Sequence, residues 1–339
     1  MQPKPNSLLK FIPLIGGIIV IGSSLFALNF YSKNENNINS SSAVIKNNPL
    51  PLSLEKFCQE YQTIGKNLQV WNQETLSQNK ILVKTQTYPN LPFSLEAVTF
   101  PQISQKAKTA KVPIAMYHDI LPKKEVFFDV TPEELESQFQ LIKSQGLTPI
   151  SLDQLVIHLR TGSPLPKKPI LLSFDDGYAG HYEYVFPLLK KYKYPAVFSV
   201  YTKNMGINTG RSHITWEQLK TMAADSLVTI AAHSKTHPPD LTKLSDEELI
   251  PEIIESKQIL EKELGESIRY FTYPTGKNDA RIRKLVQESG YVAALAMDDN
   301  NEIFAGESEN LLAIARFGQS RLNELVNKTS AGEFNSCSL

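Results

Sequence analysis

The sequence has few of the residues that mark several familiar classes of protein. It contains only two cysteines, Cys58 and Cys337, which lie almost at opposite ends of the part that follows the first thirty residues. Two cysteines so far apart form neither a disulfide framework nor a cysteine metal cage; one disulfide and two free thiols both stay open. The charged residues show no excess of either sign, because 35 Lys and Arg balance 35 Asp and Glu. With zero net charge and no clustered basic stripe, the sequence predicts no nucleic-acid partner.

Charge is also missing from one long stretch near the start of the chain. Residues 11–30 form an uncharged apolar run that is preceded by Lys4 and Lys10. A helix of about 20 residues is long enough to cross the hydrocarbon core of a bilayer. We therefore predict a single transmembrane anchor at 11–30, a cytoplasmic stub at 1–10 and a periplasmic or extracellular location for the remainder. A cleaved signal peptide is the alternative, although no small-x-small cleavage site is evident near Ala27.

Composition divides the remainder of the chain into four parts. Residues 31–51 are rich in Asn and Ser and predict a disordered linker, because such residues bury too little apolar surface to fold. Residues 52–110 predict a helical segment and a connector whose role stays open. Residues 111–325 have the pattern of one folded domain, and residues 326–339 predict a disordered tail.

From residue 111 onward, short β-branched and aromatic runs alternate with amphipathic segments. The predicted strands are 112–118, 148–151, 169–174, 196–201, 227–232, 268–273, 291–297 and 311–317. The predicted helices are 131–145, 181–193, 215–225, 245–264 and 279–289. This alternation predicts an α/β fold with a mainly parallel sheet, either open or closed into a barrel. In both cases the functional side chains are expected at the carboxyl ends of the strands.

Two short motifs lie at such strand ends. The sequence SFDDG places Asp175 and Asp176 after the third strand, where paired carboxylates are costly unless a cation lies beside them. The sequence HSKTH places His233 and His237 after the fifth strand, and the Pro-Pro pair that follows favours a turn over a helix. Taken alone, an aspartate that caps a helix or a structural histidine explains either motif. Taken together, imidazoles and a carboxylate at neighbouring strand ends predict a metal site.

SFDDG followed by HSKTH resembles the first two motifs of the polysaccharide deacetylases, the NodB-homology domains of carbohydrate esterase family four. The resemblance covers about residues 111–320 and implies a distorted (β/α) barrel of about seven strands that removes acetyl groups from N-acetylated sugars. It implies that Asp175 is the general base and that Asp176, His233 and His237 bind one divalent metal ion, usually Zn²⁺. Such an ion acidifies a bound water and polarises the acetamide carbonyl.

The third motif of the family, RxPxG, is matched here only in part. Residues 272–276 read TYPTG, so Thr272 replaces the arginine and Thr275 replaces the usual aromatic residue. The YPxG form is similar to the branch of the family that acts on exopolysaccharides such as poly-N-acetylglucosamine. The backbone N–H of Thr275 is expected to stabilise the oxyanion. The predicted substrate and oxyanion residues of this motif are Tyr273, Pro274, Thr275 and Gly276.

Two further residues are candidates for family roles that the usual positions leave unfilled. Arg316, at the end of the last predicted strand, is a candidate replacement for the missing arginine, with an ordinary structural arginine as the alternative. No histidine follows His237, so the late general-acid histidine of the family is absent. His118 ends the first strand in the sequence MYHD, as in the exopolysaccharide branch, and is assigned as the acid because the first and last strands of a barrel are neighbours. The histidines interpreted as ordinary surface or loop residues are His158, His181 and His213.

The sequence therefore favours a metal-dependent deacetylase of a GlcNAc-containing polysaccharide at the cell envelope, with the polymer and the bilayer as its predicted partners. Three alternatives stay open: a sugar-binding relative that has lost catalysis, a deacetylase of an O-acetylated polymer such as xylan, and a metal phosphoesterase. Phosphoesterases often use two metal ions with more carboxylate and histidine ligands than are found here. No particular protein partner is indicated.

Overall fold

The computed structural model describes residues 99–297 and 304–331. The predicted cytoplasmic stub, transmembrane anchor and linker lie outside these residues, as do most of the predicted helical and connector region and the end of the predicted tail. Within the two described stretches, no helix combines the length and the apolar character needed to cross a membrane.

The strands are short, and most of their residues are buried because the sheet is covered on both faces. They are β1 (Ile114–Tyr117), β2 (Thr148–Pro149), β3 (Pro169–Asp175), β4 (Ala196–Val200), β5 (Val228–Ala232), β6 (Tyr270–Thr272), β7 (Ala293–Leu295) and β8 (Phe317–Gly318). Every pairing between these strands is parallel, in the order β7-β6-β5-β4-β3-β1-β8, with β2 beside β3. The predicted parallel α/β sheet is confirmed.

Helices connect these strands. The α-helices are α1 (Pro132–Ser144), α2 (Leu152–Thr161), α3 (Phe186–Tyr192), α4 (Trp216–Ala223), α5 (Asp246–Ile250), α6 (Ser256–Leu264), α7 (Ala280–Glu288) and α8 (Leu322–Leu325). Two π-helical turns, His181–Val185 and Pro251–Glu255, run directly into α3 and α6. Short 3₁₀ turns lie at Ala107–Thr109, Thr202–Asn204, Leu241–Lys243, Pro274–Gly276, Ala305–Glu307 and Gln319–Arg321.

One segment near the end of the chain brings the two edges of the sheet together. Ile314 forms a parallel bridge with Leu295 of β7, and three residues later Phe317 pairs with Ala115 of β1. The predicted strand 311–317 thus closes the sheet, although only Phe317–Gly318 has regular strand pairing. A curled parallel sheet closed by an irregular last segment agrees with the distorted (β/α) barrel that the resemblance implies.

The alternation of side chains along β3 divides the hydrophobic core into two parts. Leu172 and Phe174 face outward, where Phe174 stacks on Phe198 of β4 at 5.2 Å between ring centroids. Leu171 faces into the barrel and belongs to a second apolar cluster. Ser173 and Asp175 follow Leu171 on the same inward face because successive residues of a strand point to opposite sides. The barrel interior is therefore apolar below and polar at the carboxyl end of β3.

Capping explains where the helices begin and one place where the sequence prediction failed. Ser245 and Glu248 form the predicted capping box of α5. The helix predicted over 245–264 is confirmed as one helical run, but it contains a π-helical turn at Pro251–Glu255, because Pro251 has no N–H to donate. Helix α2 was absent from the prediction, although Ser151 and Gln154 form a capping box before it.

The packed domain extends beyond both of its predicted boundaries. Ala107 is buried within the region predicted as a connector, and it belongs to the core cluster inside the barrel. Ser330 pairs with Lys111 in an antiparallel bridge, and Ala331 is buried. Residues 326–331 of the predicted disordered tail are therefore ordered, because their backbone and apolar groups are covered by the start of the domain.

Close packing beside the end of β1 predicts a requirement for glycine at position 180. A Cβ atom on Gly180 would lie 2.1 Å from the carbonyl oxygen of Ile120 and 3.0 Å from Oδ1 of Asp119. Gly180→Ala should therefore lower the free energy of unfolding by about 1–3 kcal/mol in urea denaturation. The matched control is Gly318→Ala, since the nearest atom to its Cβ is 3.9 Å away and no strain is expected. Equal stability of the two variants would contradict the packing described here.

Candidate active site

The backbone after β3 turns two adjacent carboxylates towards one end of the barrel. Asp175 is the last residue of β3, and Asp176 has a φ angle of 76°, in the left-handed region. Gly177 also has a positive φ, so the turn predicted at this glycine begins one residue earlier. A non-glycine residue in this region costs about 1–3 kcal/mol, a cost that is found mostly at functional sites.

His233 and His237 converge on Asp176 from the end of β5. Their Nε2 atoms lie 3.4 Å and 3.3 Å from Oδ1 of Asp176. Nδ1–H of His233 donates to the carbonyl oxygen of Thr272 at 2.8 Å, and this bond directs Nε2 at Asp176. The two histidines sit in an irregular turn, as the Pro-Pro pair predicted. The structure therefore brings the three predicted ligands together.

The chemistry of these three residues fits a divalent cation. One ligand atom from each residue lies within 4.8 Å of the others, in the described part of the chain. Oδ1 of Asp176 is buried and has no hydrogen-bond partner in residues 99–297 and 304–331, which is costly for a carboxylate unless a cation binds there. Burial would raise the pKa of Asp176, but His233 and His237 hold it far below its ordinary value. An ionised carboxylate and two imidazoles form a donor set suited to Zn²⁺.

A buried ion pair holds Asp175 beside this donor set. The Arg316 side chain is 1% exposed, the Asp175 side chain is 3% exposed, and Nη1 of Arg316 donates to Oδ1 of Asp175 at 2.8 Å. The guanidinium also donates to the carbonyl oxygen of Ala296 at 3.0 Å. Burial would raise the pKa of Asp175, but Arg316 and then His233 hold it below its ordinary value. Asp175 is consequently an ionised carboxylate at neutral pH.

His118 belongs to the same cluster. It follows the last residue of β1, and its ring packs against Phe128 with the centroids 5.0 Å apart. Nδ1 of His118 is buried and has no hydrogen-bond partner among the described residues. His118 also exerts one of the smaller electrostatic effects that lower the pKa values of Asp175 and Asp176, after those of Arg316 or the two other histidines, so it lies within electrostatic reach of both carboxylates.

The TYPTG motif contributes one exposed residue to this end of the barrel. Thr275 is exposed with a φ of 56°, whereas Pro274 and Gly276 are buried beside it. A Cβ on Gly276 would lie 2.4 Å from Cβ of Met297, so only glycine fits this approach. The prediction that Tyr273 contacts substrate is wrong for its side chain, which is fully buried and donates a hydrogen bond to the carbonyl oxygen of Leu312 at 2.8 Å.

The interpretation of three histidines as ordinary surface or loop residues is wrong, because all of them are buried: His158, His181 and His213. His158 lies on α2, and its Nδ1 contacts the carbonyl oxygen of Ser163 at 2.6 Å. Nε2–H of His181 donates to the carbonyl oxygen of His118 at 2.9 Å, and burial lowers the pKa of His181 to about 4. His181 is thus a neutral support for the His118 backbone.

A second layer of polar side chains escaped the sequence analysis. The Tyr201 hydroxyl donates to Nε2 of His213 at 2.9 Å, and the Tyr201 ring lies 5.4 Å from that of His237. Arg211 forms two hydrogen bonds of 2.7 Å with Asp129 and lies 3.5 Å from the buried Asp119. Burial raises the pKa of Asp119 to about 7, although Arg211 opposes this. The only sequence signal for any of these was the position of Asp119 directly after His118.

The fold and the site are similar to those of polysaccharide deacetylases. Residues 162–294 match the sequence model of the family described as Polysaccharide deacetylase. The match includes Asp175, Asp176, His233 and His237, so the recognition made from the two motifs is confirmed.

The names of individual similar proteins are consistent with this family match. The chain is 32% identical over 120 residues to the poly-beta-1,6-N-acetyl-D-glucosamine N-deacetylase of Escherichia coli K12, covering 32% of this chain and 18% of that protein. It is 26% identical over 182 residues to the protein of the same name from Staphylococcus aureus MSSA476, covering 51% of this chain and 62% of that protein. The chain spans less than two thirds of the length of these curated relatives.

The fold is similar to that of the Streptococcus pyogenes deacetylase PplD, solved in complex with acetate. The TM-score is 0.58 at 25% identity, over 66% of this chain and 99% of that chain. The barrel described here is therefore that of a known deacetylase structure.

Removal of the Arg316 charge should raise the pKa of Asp175. An opposite charge at this distance lowers a carboxyl pKa by about 1–3 units, and burial alone acts in the other direction. In Arg316→Met we expect the pKa of Asp175 to rise by at least this amount, measured by carboxyl ¹³C NMR of the metal-free protein. Arg316→Lys retains the charge and should show a smaller rise. An unchanged pKa in Arg316→Met would show that the ion pair does not control the ionisation of Asp175.

Proposed function

We propose that this chain is a metal-dependent hydrolase that removes N-acetyl groups from a GlcNAc-containing polysaccharide. The observation that carries the proposal is the buried Asp175–Arg316 pair beside the Asp176, His233 and His237 donor set. This arrangement places an ionised carboxylate that does not bind the cation next to three residues that fit one. Metal-assisted hydrolysis of an amide uses both of these components, because water loses a proton to the base as the cation polarises the carbonyl.

Each residue then has a distinct part in the reaction. Asp176, His233 and His237 would hold a divalent cation, most suitably Zn²⁺, which supplies Lewis acidity and acidifies water. Asp175 accepts the proton of the attacking water, and Arg316 keeps Asp175 ionised and oriented for that step. His118 donates a proton to the nitrogen that leaves as a free amine, while acetate is the other product. The backbone N–H of Thr275 is assigned to the oxyanion.

The polymer is proposed from the relatives. Two of them are named as poly-beta-1,6-N-acetyl-D-glucosamine N-deacetylases. The weakened third motif, which lacks its arginine, is the reason to consider a sugar-binding relative that has lost catalysis. Arg316 speaks against that alternative. Since Arg316 contacts Asp175 directly, the carboxylate does not lack its cationic partner.

Acetate release by the full-length protein tests the reaction. We expect acetate from acetylated poly-β-1,6-glucosamine, loss of that release with a chelator, and its return with added Zn²⁺. Asp175→Asn should lower the rate by about 10²–10⁴-fold, because the amide cannot act as a general base. Release from peptidoglycan or acetylated xylan instead would reassign the polymer and keep the mechanism.

The matched control is Asp225→Asn. Asp225 lies just before β5, at the opposite end of that strand from His233, and accepts a hydrogen bond from the N–H of Leu227 that an asparagine oxygen can also accept. Asp225→Asn should release acetate at the rate of the wild type. An undiminished rate in Asp175→Asn would refute the assigned base, and no release from any of the three polymers would leave a sugar-binding relative as the better interpretation.

The apolar run at residues 11–30 is the basis for the second part of the proposal, which places the hydrolase at the cell envelope on a single N-terminal anchor. The full-length protein should stay with the membrane fraction after alkaline carbonate extraction. Ile18→Lys combined with Ile19→Lys should release it, because each lysine at the centre of a spanning helix costs about 2.5–3.5 kcal/mol. Ile18→Leu combined with Ile19→Leu is the control. Release of the wild type by carbonate would contradict the anchor.

A further inference from the structure

The loop between the two candidate histidine ligands is short and conformationally strained. Ser234 and His237 have φ angles of 65° and 57°, values that residues other than glycine rarely adopt. The N–H of His237 donates to the Ser234 hydroxyl at 3.0 Å, which closes the loop on itself. The direction of the His237 imidazole follows from this backbone, because the residue ends the loop. Something outside the loop must offset the strain.

Glu252 lies against this loop with a buried carboxylate. Oε2 accepts the backbone N–H of Lys235 at 2.9 Å and that of Thr236 at 2.8 Å. Oε1 accepts the Thr236 hydroxyl at 2.7 Å. Glu252 is 6% exposed, so these charge-assisted bonds form away from solvent, where they are strongest. Two of the three residues between the histidines, Lys235 and Thr236, are thus bonded to one side chain.

The backbone beneath Glu252 is itself unusual. Glu252 is the second residue of the π-helical turn that begins at Pro251. Its carbonyl oxygen accepts the Ser256 hydroxyl at 2.7 Å, and the next carbonyl, that of Ile253, accepts the Tyr291 hydroxyl at 3.0 Å. Side chains thus satisfy the carbonyl groups of the widened turn, and π-helical turns of this kind occur frequently at functional sites.

We propose that Glu252 is a positioning residue of the metal centre, which fixes the 234–237 loop so that His233 and His237 meet Asp176 at one point. Glu252 contacts the loop and not the cation, so it sets the affinity for metal rather than the chemical step. Outer contacts of this kind typically change metal affinity by about 10- to 100-fold. The inference rests on the metal site of the proposed function but does not depend on which acetylated polymer, if any, is hydrolysed.

The test measures metal affinity directly in the full-length protein. Zn²⁺ dissociation constants are obtained by competition with a chromophoric chelator, per mole of protein shown to be folded by circular dichroism. Glu252→Ala should bind Zn²⁺ about 10- to 100-fold more weakly than the wild type. Glu252→Gln should fall between the two, because its amide can still accept from the loop N–H groups but carries no charge. With Co²⁺ bound in place of Zn²⁺, the absorption spectrum of Glu252→Ala should be broader than that of the wild type.

Glu255→Gln is the matched control. Glu255 lies in the same turn and its carboxylate contacts the same loop, but through the partly exposed ammonium group of Lys235, 2.8 Å away. Its Zn²⁺ affinity should stay within about twofold of the wild type, as expected for an exposed pair. Acetate release by Glu252→Ala should recover at saturating Zn²⁺, because the chemical step is intact.

Tight metal binding by folded Glu252→Ala would overturn the inference and leave Glu252 with a purely structural role. If Glu252→Ala does not fold, Thr236→Val removes one of the three bonds and should weaken Zn²⁺ binding by a smaller factor; unchanged affinity there would overturn the inference as well. A wild-type protein that binds one Zn²⁺ and releases no acetate would refute the proposed function alone. A wild-type protein that binds no divalent metal would refute both.

Discussion

The ion pair between Arg316 and Asp175 is the constraint on which the rest of this site depends. Both groups are almost completely buried, and removal of one partner from such a pair costs about 3–5 kcal/mol, because the other charge stays behind without solvent. The pair therefore requires the last segment of the barrel to be in place, since Arg316 lies between the residues that bond to β7 and to β1. Closure of the sheet therefore also brings Asp175 its cationic partner.

Around this pair, the protein concentrates conformational strain where the chemistry is proposed. Asp176, Ser234, His237 and Thr275 are non-glycine residues with positive φ angles, and they all follow the carboxyl ends of strands. Each is held by contacts from a neighbouring element, as the carbonyl oxygen of Pro239 holds the Thr275 hydroxyl at 3.1 Å. The parallel sheet from which these turns extend offsets their local costs.

Local patterns predicted most of the fold and the centre of the site. Strand and helix alternation gave the parallel sheet, and two motifs at strand ends gave Asp175, Asp176, His233 and His237. Prediction failed where tertiary contacts decide the outcome. The side chain of Tyr273 is buried, and its hydroxyl donates to the carbonyl oxygen of Leu312, 39 residues later. No local sequence pattern indicated a role for Glu252, because its hydrogen-bond partners lie in the loop that follows β5.

The separation of Asp175 and Arg316 along the chain has a consequence for biosynthesis. The two residues are 141 positions apart along the chain. The chain must lose the conformational entropy of this long intervening loop before the contact contributes any stabilisation. A nascent chain that has emerged up to β7 already contains both aspartates and both histidines, but not the arginine that keeps Asp175 charged. The cluster is therefore completed only when synthesis has passed residue 316, so that its assembly follows that of nearly the whole barrel.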